Sequence, residues 1–174
     1  MAALAGTLLA GRLAASEPED ELKAATVLSF LRYSEWPAAP TAGASLTVGV
    51  LGRPTLLLAF RKALEGKSVE NRPVKVVELP AEPGPACCHV VFLASEKPAD
   101  LKSGLALARS LHALTIGEAD QFLELGGAIH LLIIDGRMSF EVNREALERS
   151  GIAISSKLLR FGQIRTAGKG RPPG

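Results

Sequence analysis

The groups in this sequence that could do chemistry are three histidines, His89, His112 and His130, two adjacent cysteines, Cys87 and Cys88, and one carboxylate set between apolar positions, Glu141. A cysteine beside a histidine suggests a thiolate activated by an imidazole, here Cys88 with His89. The surrounding CCHVVFLA reads as a strand, however, and neighbours on a strand point to opposite faces, so the pair is not oriented for proton transfer. No histidine stands beside a Ser, Cys or Asp in a known nucleophile motif. Adjacent thiols also lack the spacing of a zinc site. The expectation is no catalytic residue, no metal ligand and no cofactor. A bond between neighbouring cysteines needs strained geometry, and no other cysteine exists to pair with either. Cys87 and Cys88 are therefore expected to be unpaired within the chain, as apolar strand residues with at least one buried; an intermolecular bridge or a reactive thiol are the alternatives.

Two further places could hold a ligand or a partner. Glu141 lies on an alternating strand, and the final amphipathic segment supplies Ser156, Lys157 and Arg160. If that segment packs on the polar face of the strand, Glu141 gains a charged partner or helps to line a small polar pocket. Structural pairing is the leading reading and ligand contact the second. Trp36, the sole tryptophan, closes the first helix and serves either as a core plug or as a ligand platform.

The elements that would position these groups run from Ser16. Ser16 and Glu19 form a capping box, Pro18 sits in the first turn, and Glu17, Glu19, Asp20 and Glu21 place negative charge at the positive end of the helix dipole. Ala24, Val27, Leu28 and Leu31 form one apolar stripe, and the helix stops before Pro37. LTVGVL from Leu46 is a buried strand, and Gly52 and Pro54 open the next helix, but LGRPT lacks the glycine pattern of a phosphate loop. Further strands are expected at Val74 to Leu79, Cys87 to Ala94 and Leu111 to Ile116. A helix is expected from Pro98 to Arg109, and a short one from Glu118 to Leu125. The stretch from Gly126 to Phe161 holds an apolar strand, an Asp135-Gly136 turn, an alternating strand, a helix capped by Asn143 and ended by Gly151, a short strand from Ile152 to Ile154, and a last helix, SKLLRFGQIR, capped by Ser155 or Ser156. Met138, Phe140 and Val142 share one face of the alternating strand, and Ser139, Glu141 and Asn143 the other.

Strands apolar on both faces and separated by helices imply an α/β layer structure with a largely parallel sheet. The hairpin makes that sheet mixed, with its antiparallel pair at one edge.

The 174 residues, 47% hydrophobic, suffice for one domain with its own core. A formal charge of +2 with scattered positive residues lacks the footprint of a nucleic-acid binder. No stretch approaches the roughly 20 apolar residues that span a bilayer. Residues 1–15, MAALAGTLLAGRLAA, resemble the end of a secretory signal with cleavage near Ala15, or else form a disordered or weakly helical leader. Residues 16–165 are expected to be the folded domain and 166–174 a disordered tail.

With these segments laid out, the chain resembles the YfiR family of small periplasmic regulators. The resemblance rests on an ordered set of motifs: KAATVLSFLRYSEWP at Lys23 to Pro37, VGVLG at Val48 to Gly52, GKSVENRPVKV at Gly66 to Val76, CHVVFLA at Cys88 to Ala94, LTIGEADQF at Leu114 to Phe122, GGAIHLLIIDGRMSFEVN at Gly126 to Asn143 and GIAISSKLLR at Gly151 to Arg160. It implies a compact Rossmann-like domain, exported to the periplasm, usually dimeric and without catalytic activity. It also implies a partner, the periplasmic sensor part of an inner-membrane signalling protein such as a YfiN-like diguanylate cyclase, whose cyclic-di-GMP synthesis the regulator restrains. The alternative is a small-molecule-binding sensor module acting with a histidine kinase or another envelope system. Members often carry a cysteine in the first core strand that bridges to the cysteine of the CHV motif. Here that strand offers Gly49, so the family's redox-controlled bridge lacks one of its two sulfurs.

Overall fold

In a computed structural model the described residues are 17–36, 44–79 and 88–165. Ser16, the leader, the 166–174 tail and Cys87 lie outside them. The first helix, α1 (Glu17–Arg32), is followed by a two-residue strand, β1 (Ser34–Glu35). Next come β2 (Leu46–Leu51), α2 (Pro54–Leu64), the short β3 (Ser68–Val69), β4 (Arg72–Glu78) and β5 (Val90–Leu93). After α3 (Pro98–Ser110) and β6 (Leu114–Gly117) stands the hairpin of β7 (Ile129–Ile134) and β8 (Arg137–Asn143). The chain closes with α4 (Arg144–Ser150), β9 (Ala153–Ile154), α5 (Ser156–Leu159) and β10 (Gln163–Arg165).

Eight strands form one sheet in the order β10-β8-β7-β6-β5-β2-β4-β3. From β4 through β2, β5 and β6 to β7 all pairings are parallel, β8 returns antiparallel to β7, and β10 runs parallel to β8. The fold is the mixed, mainly parallel α/β architecture that the apolar strands imply. β2 is the switch point, because the chain leaves it for β4 on one side and later returns to β5 on the other.

Helices cover both faces. On one, Ala24, Val27, Phe30 and Leu31 of α1 and Leu56, Phe60 and Leu64 of α2 pack against Val48, Val76, Val90, Phe92, Ile116, Leu131, Phe140 and Val142. Edge-on ring pairs pin this layer, Phe30 on Phe140 at 5.0 Å, with Phe60 tilted on Phe92 at 4.8 Å. On the other face Leu101, Leu105 and Ala108 of α3 meet Val91 and Leu93, and Phe122 plugs the gap beside them. Pro54 and Pro98 at the first helical turns need no amide partner and carry the preset φ that starts α2 and α3. Asn143 accepts from the Ala146 amide at 3.1 Å, and Gly151 in the left-handed region (φ 71°) ends α4, as the sequence implies.

Several expectations are corrected. Where a helix is expected from Glu118 to Leu125, residues 120–126 form successive turns, with Phe122 drawn inward against the bare backbones of Gly117 and Gly127. The last helix is a single turn capped by Ser155; its expected continuation becomes β10, because the exposed flank of β8 leaves a ladder to fill. The hairpin is therefore one strand in from the edge. Residues 153–154 pair with β1 in a separate two-stranded sheet. Cys88, expected to be unpaired, is disulfide-bonded. The strand proper begins at Val90, so Cys88 is not held to the alternation that argued against a bond. The only other cysteine in the sequence is Cys87.

Candidate functional site

Three polar clusters stand out. The first lies at the carboxyl ends of the parallel strands, where doubly wound folds take their ligands. Arg53 follows β2 and Glu118 follows β6, which places both at this rim. α1 reaches across with Asp20 (1% exposed) and Lys23 (5% exposed). Lys23 Nζ lies 2.5 Å from Glu118 and 2.8 Å from Glu19, while Arg53 donates to Asp20 and, at 3.1 Å, to Glu118. Burial alone would pull the Lys23 pKa down, but the hydrogen bonds and charges of Glu118 and Glu19 outweigh it and hold the ammonium above its ordinary range. Arg53 is held up in the same way by Glu118 and Asp20. The crevice is thus spanned by matched charges. Gly52 also packs so closely on Ala94 that a Cβ there would meet the alanine methyl at 2.8 Å. The arrangement clamps α1 to the sheet.

The second cluster is on the hairpin. Glu141 faces His130 from the opposite strand, Oε2 to Nδ1 at 3.3 Å, in the register that pairs the two residues. His130 is buried, and Glu141 half-buried with Gln163 of β10 on its other side. Ser156 and Lys157 are exposed on α5, the turn that precedes β10, and Arg160 is exposed at its C-cap. Trp36 is buried; its indole N–H donates to the Leu31 carbonyl at 2.8 Å and its ring stands edge-on to His89. It thus fills core beside β1, while the Ser155 amide joins the start of α5 to Tyr33 at 2.7 Å. The geometry brings Trp36 and the start of α5 to neighbouring positions around the β1-β9 pair. Glu141 and His130 lie within the main sheet.

The third cluster gives no warning in the sequence. Arg72 opens β4 directly after the tight Glu70-Asn71 turn, whose two residues both take positive φ (50° and 61°). Its Nη2 lies 2.9 Å from Nε2 of His89, which precedes β5, and the His89 Nδ1 faces the Thr47 amide at 3.2 Å. Burial and the nearby Arg72 charge lower the His89 pKa.

None of the three places a nucleophile within reach of a base and that base against an orienting group. Among the described residues no three His, Cys, Asp or Glu side chains gather to hold a metal ion, and no helix is long and apolar enough to cross a membrane. Among the exposed large apolar side chains, Phe161 is 76% exposed, and Ile133 and Ile134 at the hairpin tip are 42% and 44% exposed; Arg137, Lys157 and Arg160 on the same segments are exposed too. Gly162, next to Phe161, lies against the Phe140 ring, which fixes Phe161 at the β8 flank.

Compared with known protein families, residues 20–163 match the model of the family described as YfiR/HmsC-like. No curated protein matches the chain.

Proposed function

The chain belongs to the YfiR/HmsC-like family, a family of regulators in cyclic-di-GMP signalling, and on that premise we propose that it is a non-enzymatic periplasmic regulator. It binds the periplasmic sensor domain of an inner-membrane diguanylate cyclase and restrains cyclic-di-GMP synthesis. The observation that carries this reading is the extent of the match, which runs from the buried Asp20 of α1 to the start of β10 and so takes in the whole layered fold. The clamped crevice supports it, since the rim that would hold a substrate in a doubly wound enzyme is crossed by Lys23 and Arg53 in matched ion pairs.

The partner face is the flank formed by the hairpin tip and α5. Exposed apolar side chains on segments that also carry exposed arginine and lysine have the composition of a protein-binding patch, with an aromatic anchor and a polar rim. Phe161 is the anchor, Lys157 and Arg160 steer an acidic surface, and Ser156 lies at the rim. Trp36 and Glu141 shape the face from beneath, through the β1-β9 pair and the β8 ladder. A homodimer would draw on the same exposed flank.

Binding of the purified chain to the isolated periplasmic domain of a candidate cyclase tests this reading. Phe161→Ser and Arg160→Glu should each weaken binding at least tenfold without changing the melting temperature, in line with the loss of an interface anchor. Unchanged affinity in both variants would remove this flank from the interface. Failure of the wild-type chain to bind any inner-membrane sensor, with cyclic-di-GMP unchanged on its deletion, would overturn the proposed function.

A further inference from the structure

The hairpin outruns the sheet that carries it. β6 pairs with β7 only at Ile129 and His130, and β10 pairs with β8 only from Glu141 to Asn143. The rungs beyond, from Leu131 with Phe140 to Ile134 with Arg137, have no strand on either side among the described residues. At the rise of an antiparallel strand they carry the turn about 13 Å past the last shared rung. The base of this overhang is packed: Leu131 and Phe140 are buried, the Phe30 ring stands edge-on to Phe140, and Gly162 lies against the same ring. At the apex Asp135 and Gly136 both take positive φ, 49° and 72°, in a two-residue turn whose twist matches that of its strands. A tight turn on a packed base is a projection of fixed shape.

Its exposed apolar side chains point both ways. Ile133 pairs with Met138 and Ile134 with Arg137, and neighbours on a strand face opposite sides. Ile133 therefore shares the side of Leu131 and Phe140, which faces α1, and Ile134 shares the side of His130 and Glu141. Both isoleucines are nonetheless exposed. β7 also carries no Lys, Arg, Asp, Glu or Pro, the residues that shield an uncovered strand from docking. A flat partner laid on one side of the ribbon covers one isoleucine and leaves the other in water. A surface that closes round the tip buries both.

The charges at the tip decide what kind of surface that is. Asp135 at the apex and Arg137 behind it are exposed. A bilayer would strip the Asp135 carboxylate of water at the deepest point of entry, at high cost. A protein can meet it with a cation or with amide N–H groups. We propose that the hairpin tip enters a cleft in a protein partner, with apolar walls for Ile133 and Ile134, a donor floor for Asp135 and an acidic lip for Arg137. This inference rests on the reading of the chain as a regulator of a membrane sensor, and it gives that sensor's periplasmic domain a concave docking site. Phe161 adjoins the hairpin base through Gly162 and contacts the mouth of the cleft.

The test is the affinity of the full chain for the isolated periplasmic domain of the candidate cyclase. Ile133→Thr and Ile134→Thr keep the β-branched shape that suits a strand while removing apolar contact, and each should weaken binding at least tenfold at an unchanged melting temperature. Asp135→Asn, which the left-handed turn position accepts, should also weaken binding and reduce its dependence on salt. Weakening in only one of the two isoleucine variants would mean a flat partner surface. Weakening in neither, with Phe161→Ser still impaired, would place the contact on the α5 flank alone. Either result overturns the proposal while the regulator reading stands, as would wild-type affinity in Asp135→Asn. Should a Thr variant lose its cooperative melting, methyl resonances of the wild-type complex in a soluble paramagnetic agent decide: both isoleucines shielded upholds the cleft, and one left accessible overturns it. Failure of the wild-type chain to bind would overturn the regulator reading itself, and the cleft with it.

Discussion

Gly49 has no side chain where two others converge. A Cβ built there would lie 2.8 Å from Cys88 Sγ and 2.8 Å from Leu79 Cγ. The structure therefore retains the neighbourhood in which relatives of this fold are expected to bridge the first core strand to the CHV motif, with one sulfur missing. Gly49→Ala should destabilise by about 1–3 kcal/mol, because Leu79 and Cys88 must both move; urea unfolding measures it. Gly49→Cys puts a thiol against Cys88. In a glutathione redox buffer the introduced thiolate should attack Cys88 Sγ, forming a new bond and releasing the sulfur that Cys88 now holds. Non-reducing peptide mapping should then join the β2 peptide to the peptide containing Cys88, and finding them separate would refute the geometry. At His89 the sign of the pH dependence follows from the lowered pKa. The unfolded chain takes up a proton near the ordinary value of 6.5 that the folded chain refuses until lower pH. Stability should be fully present above about pH 6.5, fall as the pH drops from there toward the folded value, and lose that slope in His89→Gln. Urea midpoints between pH 5 and 8 provide the check.

At the scale of elements, α1 is clamped at its amino-terminal end by charge and further along by apolar packing. Lys23→Met should cost about 3 kcal/mol, since it leaves Glu118 and Glu19 at the rim with one cation fewer. Adding Glu118→Gln should recover part of that loss, and equal, additive losses would show that the two groups do not act as a pair. The alternating run from Met138 to Val142 was legible in the sequence because its period is that of a strand, as was α4, whose Asn and Gly ends are specific signals. The stripe of α1 was legible too, but not the burial of Lys23 or of Asp20, the latter read only as part of a dipole-matched acidic start. Nothing local reveals that partners 30 or more positions away, Arg53 and Glu118, draw them under cover. Gln163–Arg165 was read as helix because its strand character comes from the vacant flank of β8, a tertiary property. The Arg72-His89 contact was hidden for the same reason, since it joins the starts of two strands that become near neighbours only through β2.

For the whole molecule, the layers divide the work. The clamped carboxyl rim fixes α1, the amino rim carries the Arg72-His89 pair, and the hairpin and α5 flank presents exposed apolar side chains among basic ones. The packed sheet provides a rigid body, and Phe161, Ile133 and Ile134 are among its exposed large apolar side chains. The family model reaches across the same span, and that family is one of regulators in cyclic-di-GMP signalling. The most direct test of that account is the diguanylate cyclase activity of inner-membrane vesicles in which the sensor domain faces the added protein. The wild-type chain should lower cyclic-di-GMP production in a saturable manner, and Phe161→Ser should require at least tenfold more protein for the same effect. Undiminished production at saturating wild-type protein, with the fold intact, would contradict it.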